Sequence, residues 1–104
     1  MSENQIFSII KSIAWQLFPN CKVILFGSRA RQDNRHDSDY DILLIIDQTL
    51  KPEDKLPYCT QIRKYLLNYG VFSDILIQSD KEIEIKKQLT GHIIKTIMNE
   101  GKAI

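Results

Sequence analysis

The chain alternates between segments with helical apolar spacing and short segments that are almost entirely apolar. Residues 2–18 repeat large apolar side chains every three or four positions, with Ser2 placed to cap a helix and Pro19 placed to end it. This pattern predicts a first helix that packs on a core through one face. The apolar face consists of Ile6, Ile10, Ile13 and Leu17.

Three apolar runs, at residues 21–26, 40–46 and 71–77, predict buried β-strands. The first run ends in Gly27-Ser28, which indicates a turn. Each of the other two is apolar almost throughout and is interrupted by a single acid, which is typical of a strand covered on both faces.

Polar and amphipathic segments connect these strands. Residues 29–38 are expected to form a short helical turn and a loop. A helix is predicted over 52–69, with a start nearer Pro57 because proline inside a helix removes a backbone hydrogen bond. The chain ends in a helix that begins after Ser79 and is bent or split at Gly91. The apolar stripe expected on this last helix is Leu89, Ile93 and Ile97.

This element order predicts an α/β (α+β) fold, a small mixed β-sheet of three or more strands with helices packed on it. The 104 residues are expected to form a single domain. Basic residues number 14 and acidic residues 13, and this balance argues against binding of long nucleic acid through bulk charge. No apolar run is long enough to span a bilayer, and the two cysteines cannot form a disulfide scaffold, so a cytoplasmic location is expected.

Three aspartates occupy positions where a carboxylate is costly without compensation. Asp39 and Asp41 lie two residues apart at the start of the second strand, so their side chains project from one face. Asp74 interrupts the third strand. If the two strands are neighbours, the carboxylates converge and repel, and one or two Mg²⁺ or Mn²⁺ ions would compensate them. The alternative is a loop or cap role for Asp39 and separate hydrogen bonds for Asp41 and Asp74.

The Gly27-Ser28 turn adds a candidate phosphate site. A strand that turns into a helix through Gly and Ser presents backbone N–H groups and a hydroxyl, which are groups that bind phosphate. Such a turn is weak evidence alone, and it becomes specific when Asp-Tyr-Asp follows ten residues later. A pair of divalent ions held by the aspartates beside this turn could activate an attacking oxygen and stabilise a leaving pyrophosphate.

The run LFGSRARQDNRHDSDYDILLII, residues 25–46, resembles the minimal nucleotidyltransferase (MNT) group of the polymerase-β-like nucleotidyltransferase superfamily, and the resemblance covers essentially the whole chain. It implies a nucleotidyltransferase fold in which three carboxylates are catalytic and hold the metal ions, Asp74 on the side of the nucleophile. The three carboxylates are Asp39, Asp41 and Asp74. The resemblance also implies that the glycine-serine turn and the arginines after it bind the triphosphate, with at least one of these arginines facing phosphate or a partner. These residues are Gly27, Ser28, Arg29 and Arg31. One departure is Gln32, where many relatives carry Gly, and it puts the path of the following loop in question.

The resemblance further implies a partner. Minimal nucleotidyltransferases are commonly encoded beside a helical HEPN ribonuclease, and the MNT member acts as an antitoxin that transfers AMP from ATP to a hydroxyl of the toxin, typically a tyrosine. Two alternatives stay open: a non-catalytic antitoxin that neutralises its partner by covering it, and nucleotidyl transfer to a small molecule such as an aminoglycoside. A chain of 104 residues is expected to leave no room for a small-molecule acceptor pocket unless a partner supplies it.

Overall fold

The computed structural model describes residues 1–104. Five helices and four strands follow one another along the chain. They are α1 (Glu3–Leu17), β1 (Lys22–Phe26), α2 (Gly27–Arg31), β2 (Tyr40–Ile46), α3 (Pro52–Leu67), β3 (Ser73–Ser79), α4 (Asp80–Lys86), α5 (Ile93–Glu100) and β4 (Lys102–Ala103). None of the helices has the length and apolar character that crossing a membrane requires.

The strands form one mixed sheet in the order β3-β2-β1-β4. β1 runs antiparallel to both β2 and β4, whereas β2 and β3 are parallel. The connection between the parallel strands contains α3, as a parallel pair requires a long crossover. The predicted α/β class and mixed sheet are therefore confirmed.

Helices cover both faces of the sheet, which explains why β2 is apolar almost throughout. On one face α1 and α3 pack over alternate strand residues such as Ile42 and Leu44. On the other face Leu43 and Ile45 pack against residues of α4 and α5. Because successive strand residues point to opposite faces, both sets of β2 side chains are buried and only Asp41 interrupts them.

Helix α1 starts as predicted, with a capping box at Ser2. The Ser2 hydroxyl accepts a hydrogen bond from the Gln5 N–H at 3.2 Å, and the Gln5 side chain accepts one from the Ser2 N–H at 2.7 Å. The predicted later start of α3 is wrong, because this helix begins at Pro52 and contains Pro57. Pro57 lies on the exposed side, where the carbonyl that loses its partner remains open to water.

The C-terminal segment agrees with the prediction in its split at Gly91 and differs from it in the residues that it buries. It is split into α4 and α5 around Gly91, which has a φ of +79°, and the His92 side chain caps α5 by accepting from the Ile94 N–H. The split resets the helical phase, so the predicted stripe is wrong at Leu89 and Ile93, which are half exposed. The buried residues of this layer are Ile83, Ile94 and Ile97. The two-residue strand β4 was not predicted, because it is too short to show a period.

Candidate active site

The parallel pairing of β2 and β3 brings the predicted aspartates to one end of the sheet. Asp41 lies opposite Asp74 in the register, so their side chains leave the same face. Asp39 precedes the first residue of β2 and shares that face by alternation. The predicted neighbourhood of the three aspartates is therefore present, on the sheet face that α4 and α5 cover further along.

The three carboxylates have no partner within the protein. None of them accepts a hydrogen bond or forms an ion pair, although the chain has five ion-pair contacts elsewhere. Burial raises the pKa of Asp41, the charges of Asp74 and Asp39 raise it further, and Arg31 lowers it. The carboxylates therefore repel one another, the charge of Arg31 offsets this only in part, and the alternative of separate hydrogen bonds does not apply.

The donor set fits a divalent cation that takes further ligands from outside the protein. No group of three or more acidic, histidine or cysteine side chains is arranged to hold a metal ion by itself, so ligands from outside the protein would have to complete the shell. Mg²⁺ usually binds through one or two carboxylates and completes its shell with water and substrate phosphates. Carboxylate oxygens that lack a protein partner and repel each other are suitable ligands for such an ion.

The Gly27-Ser28 turn adjoins these carboxylates through the antiparallel pairing of β1 and β2. Phe26, the last residue of β1, pairs with Asp41, so Gly27 follows immediately beside the carboxylate. Gly27 has a φ of +72°, and a Cβ atom at this position would overlap Oδ2 of Asp41. The glycine therefore both permits the turn and leaves the space that the carboxylate occupies.

The structure separates the two predicted arginines. Arg31 contacts Asp33 at 3.1 Å and Glu100 at 3.6 Å, and its charge acts on Asp41. Arg29 instead lies over the ring of Tyr40, which points to the opposite face of β2 from Asp41. The structure therefore does not bring Arg29 to the carboxylates. The alternation of residues 39–41 predicts the direction of Tyr40, but the contact of Arg29 with this ring depends on the path of the loop and could not be read from the sequence.

Gln32 ends α2 in the left-handed conformation, with φ 62° and ψ 27°. This is a conformation that Gly adopts without strain and other residues adopt rarely. The departure from the family pattern at this position therefore leaves a glycine-like turn in place. A cavity of about 460 Å³ lies between α1 and the C-terminus and is not lined by any of the three aspartates.

Comparison with known proteins identifies the fold and the family. Residues 9–104 match the family described as polymerase beta, nucleotidyltransferase. "Putative protein adenylyltransferase MJ0604" of Methanocaldococcus jannaschii is 34% identical over 83 residues, which cover 80% of this chain and 76% of the relative. "Putative protein adenylyltransferase MJ0141" of the same organism is 37% identical over 82 residues, which cover 77% and 74%.

Solved structures agree with this fold. The crystal structure of a toxin–antitoxin with AMP-PNP superposes with a TM-score of 0.57 at 17% identity, over 99% of this chain and 72% of that chain. A structure described as a "putative nucleotidyltransferase" from Sulfolobus solfataricus gives a TM-score of 0.51 at 22% identity, over 95% and 76%. The resemblance predicted from residues 25–46 is confirmed, and this chain belongs to the polymerase-β nucleotidyltransferase family.

Proposed function

We propose that this chain is a Mg²⁺-dependent protein adenylyltransferase that transfers AMP from ATP to a tyrosine hydroxyl of a HEPN ribonuclease toxin and so acts as its antitoxin in the cytoplasm. The observation that carries the proposal is the in-register pair Asp41 and Asp74, joined by Asp39, beside the Gly27 turn. The names of the two relatives, each given as "putative protein adenylyltransferase", support the reaction. The toxin–antitoxin complexes of similar fold, one of them with an ATP analogue, support the partner.

Each residue of the site has a role in this reaction. Asp39 and Asp41 would hold two Mg²⁺ ions, or Mn²⁺ in their place, with Asp74 as the further ligand on the acceptor side. When bound, these ions supply positive charge to the triphosphate and to the attacking oxygen. The Gly27 and Ser28 turn offers N–H and hydroxyl donors to phosphate oxygens, and Arg31 lies on the same side of the sheet.

The chemical step is a substitution at the α-phosphorus of ATP. The tyrosine oxygen of the acceptor forms a bond to this phosphorus, the bond to the bridging oxygen of the β-phosphate breaks, and pyrophosphate leaves. Asp74, unpartnered in the chain, receives the hydroxyl proton as a general base. The adenylate added to the ribonuclease carries negative charge, which would repel the phosphates of an RNA substrate.

The test is direct transfer with purified proteins. The chain is incubated with α-labelled ATP, Mg²⁺ and the product of the neighbouring gene, the expected HEPN protein, and mass spectrometry locates added adenylate. We expect label on a tyrosine of the HEPN protein, and none when EDTA removes the metal. Neutralisation of the toxin without any label would favour the antitoxin that acts by covering its partner. Label on an aminoglycoside and none on protein would favour a small-molecule acceptor.

A matched acid at the other end of β2 provides the control. Asp47 follows β2 directly, is exposed, and lies about 20 Å from Asp41 at the usual rise of a strand. Asp47→Asn therefore removes one carboxylate and one charge from the same strand without touching the site. We expect this variant to transfer AMP as the unaltered chain does.

A further inference from the structure

Arg29 has a hydrogen-bond pattern that holds backbone rather than ligand. Its Nε and Nη2 donate to the carbonyl oxygen of Ser38 at 2.9 and 2.7 Å, and Nη2 also donates to the carbonyl oxygen of His36 at 3.0 Å. The guanidinium carbon lies 3.9 Å from the centre of the Tyr40 ring, which is buried. One side chain therefore joins α2 to the residues on both sides of Asp39.

The loop depends on Arg29 because its other hydrogen bonds are internal. The Arg35 N–H donates to the Ser38 hydroxyl at 3.0 Å, and the Ser38 N–H donates to the Arg35 carbonyl at 3.1 Å. The Asn34 side chain also donates to the Arg35 carbonyl. These bonds shape residues 34–38 without fixing them to the rest of the protein, so Arg29 supplies the hydrogen bonds that hold the loop against α2.

A guanidinium is suited to this task and an ammonium is not. The planar group directs several N–H donors along its edge while its face stacks on an aromatic ring. Lysine has a single charged nitrogen and no planar group, so it cannot donate to both carbonyl oxygens and cover the Tyr40 ring at the same time. These contacts occupy Nε and Nη2, so Arg29 could bind a phosphate only through Nη1, the one guanidinium nitrogen that makes no hydrogen bond.

We propose that Arg29 is a positioning residue, which fixes the backbone before Asp39 and the start of β2 so that Asp39 and Asp41 hold the metal in one arrangement. This role differs from the phosphate contact expected from the sequence, and it rests on the proposed function of the two aspartates. The constraint reaches Asp39 through Ser38 and reaches Asp41 through Tyr40. Loss of a residue that orients metal ligands typically lowers metal affinity roughly 10- to 100-fold.

The test compares Arg29→Lys with Arg35→Lys, since Arg35 lies in the same loop and its side chain makes no hydrogen bond or ion pair. Mn²⁺ binding is measured by the loss of the free-ion electron paramagnetic resonance signal, in the presence of AMP-PNP. In Arg29→Lys we expect the half-saturating Mn²⁺ concentration to rise about 10-fold, with the KM for ATP changed by less than about threefold and excess Mn²⁺ restoring most of kcat. Arg35→Lys should match the unaltered chain.

Two results would contradict the positioning role of Arg29. A KM for ATP raised about 10-fold or more, with no rescue by Mn²⁺, would identify Arg29 as a phosphate ligand and overturn the proposal. Unchanged metal binding and kinetics in folded Arg29→Lys would overturn it as well.

Hydrogen exchange separates this proposal from the proposed function. The amide of Ser38, which donates to the Arg35 carbonyl at 3.1 Å, should exchange about 10-fold faster in Arg29→Lys, whether or not the chain transfers AMP. Unchanged exchange would refute the positioning role even in an active enzyme. If the unaltered chain neither binds Mn²⁺ nor transfers AMP, the proposed function fails while exchange still decides whether Arg29 fixes the loop.

Discussion

Acidic side chains lie at both ends of the parallel pair β2–β3, but they have partners within the protein at only one end. At one end Asp39, Asp41 and Asp74 have no partner in the chain. At the other end Glu82 follows β3 and is surrounded by donors. Its Oε2 lies 2.8 Å from Lys55 Nζ and 3.5 Å from Lys86 Nζ, and its Oε1 accepts from the Ser79 N–H at 2.9 Å.

The pKa shifts follow this difference in surroundings. Burial raises the pKa of Asp41, and the nearby carboxylates add to the effect. Burial also raises the pKa of Glu82, but the hydrogen bonds from Lys55 and Ser79 and the charges of Lys55 and Lys86 outweigh it, so the net pKa is lowered. An acid whose ionised form is stabilised by neighbouring donors has a structural role. Acids that repel one another and have no partner in the chain are available to bind a cation.

The largest expected effect is the loss of transfer when an aspartate of the site loses its charge. Asp39→Asn and Asp41→Asn each should lower kcat/KM for AMP transfer by on the order of 1,000-fold, because the amide is a poor ligand for a divalent ion. The assay is adenylate transfer to the HEPN protein, with Asp47→Asn as control. Full activity of the double variant would contradict the assignment of the site.

Gly27→Ala should have the next largest effect. The added Cβ overlaps Asp41 Oδ2, and displacement of a catalytic group by about 1 Å can cost roughly 100-fold in rate. Gly70→Ala is the matched control, because Gly70 has the same φ of +72° and no neighbouring atom within 4 Å. Both variants should lose about 1 kcal/mol of stability from backbone strain. Equal activity of the two variants would show that the space beside Asp41 is unimportant.

At the opposite end of the pair, Glu82→Gln should change stability and leave kcat unchanged. It leaves the largely buried Lys55 without its carboxylate, and the free energy of unfolding should fall by about 1–3 kcal/mol. The folded pKa of Glu82 is lowered, so its contribution is present at neutral pH and disappears as the pH falls through that folded value. Urea unfolding at neutral and acidic pH measures this, and a difference that persists in acid would contradict the ion-pair explanation.

The smallest expected effect is a gain in stability, whereas the preceding substitution is expected to cause a loss. The folded pKa of Asp41 is raised, so its ionised form destabilises the fold once the pH exceeds the ordinary aspartate value of about 3.9. In metal-free buffer Asp41→Asn should therefore raise the free energy of unfolding at neutral pH by a few tenths of a kcal/mol to about 1 kcal/mol. The gain should vanish in acid, where Asp41 is protonated in both states. A loss of stability at neutral pH would show that Asp41 is structural.

The sequence indicated the candidate acids because a charged residue is conspicuous in an apolar strand. Asp41 and Asp74 each interrupt such a strand, and Asp39 follows from two-residue alternation. The capped start of α1 and the break at Gly91 were also readable, because caps and glycines act locally. The start of α3 was misjudged, since an exposed Pro57 costs less than the general rule for helix interiors suggests.

What the sequence determined by itself is the family, the order of the principal elements and the face on which Asp39 and Asp41 lie, because these depend on local periodicity and on a compact motif. The tertiary structure decided the pairing of Asp41 with Asp74, the addition of β4 to the sheet, and the direction of Arg29. Strand order and register arise from contacts between residues far apart in the chain. The direction of Arg29 likewise depends on a loop that folds back on α2, so neither could be read from local spacing.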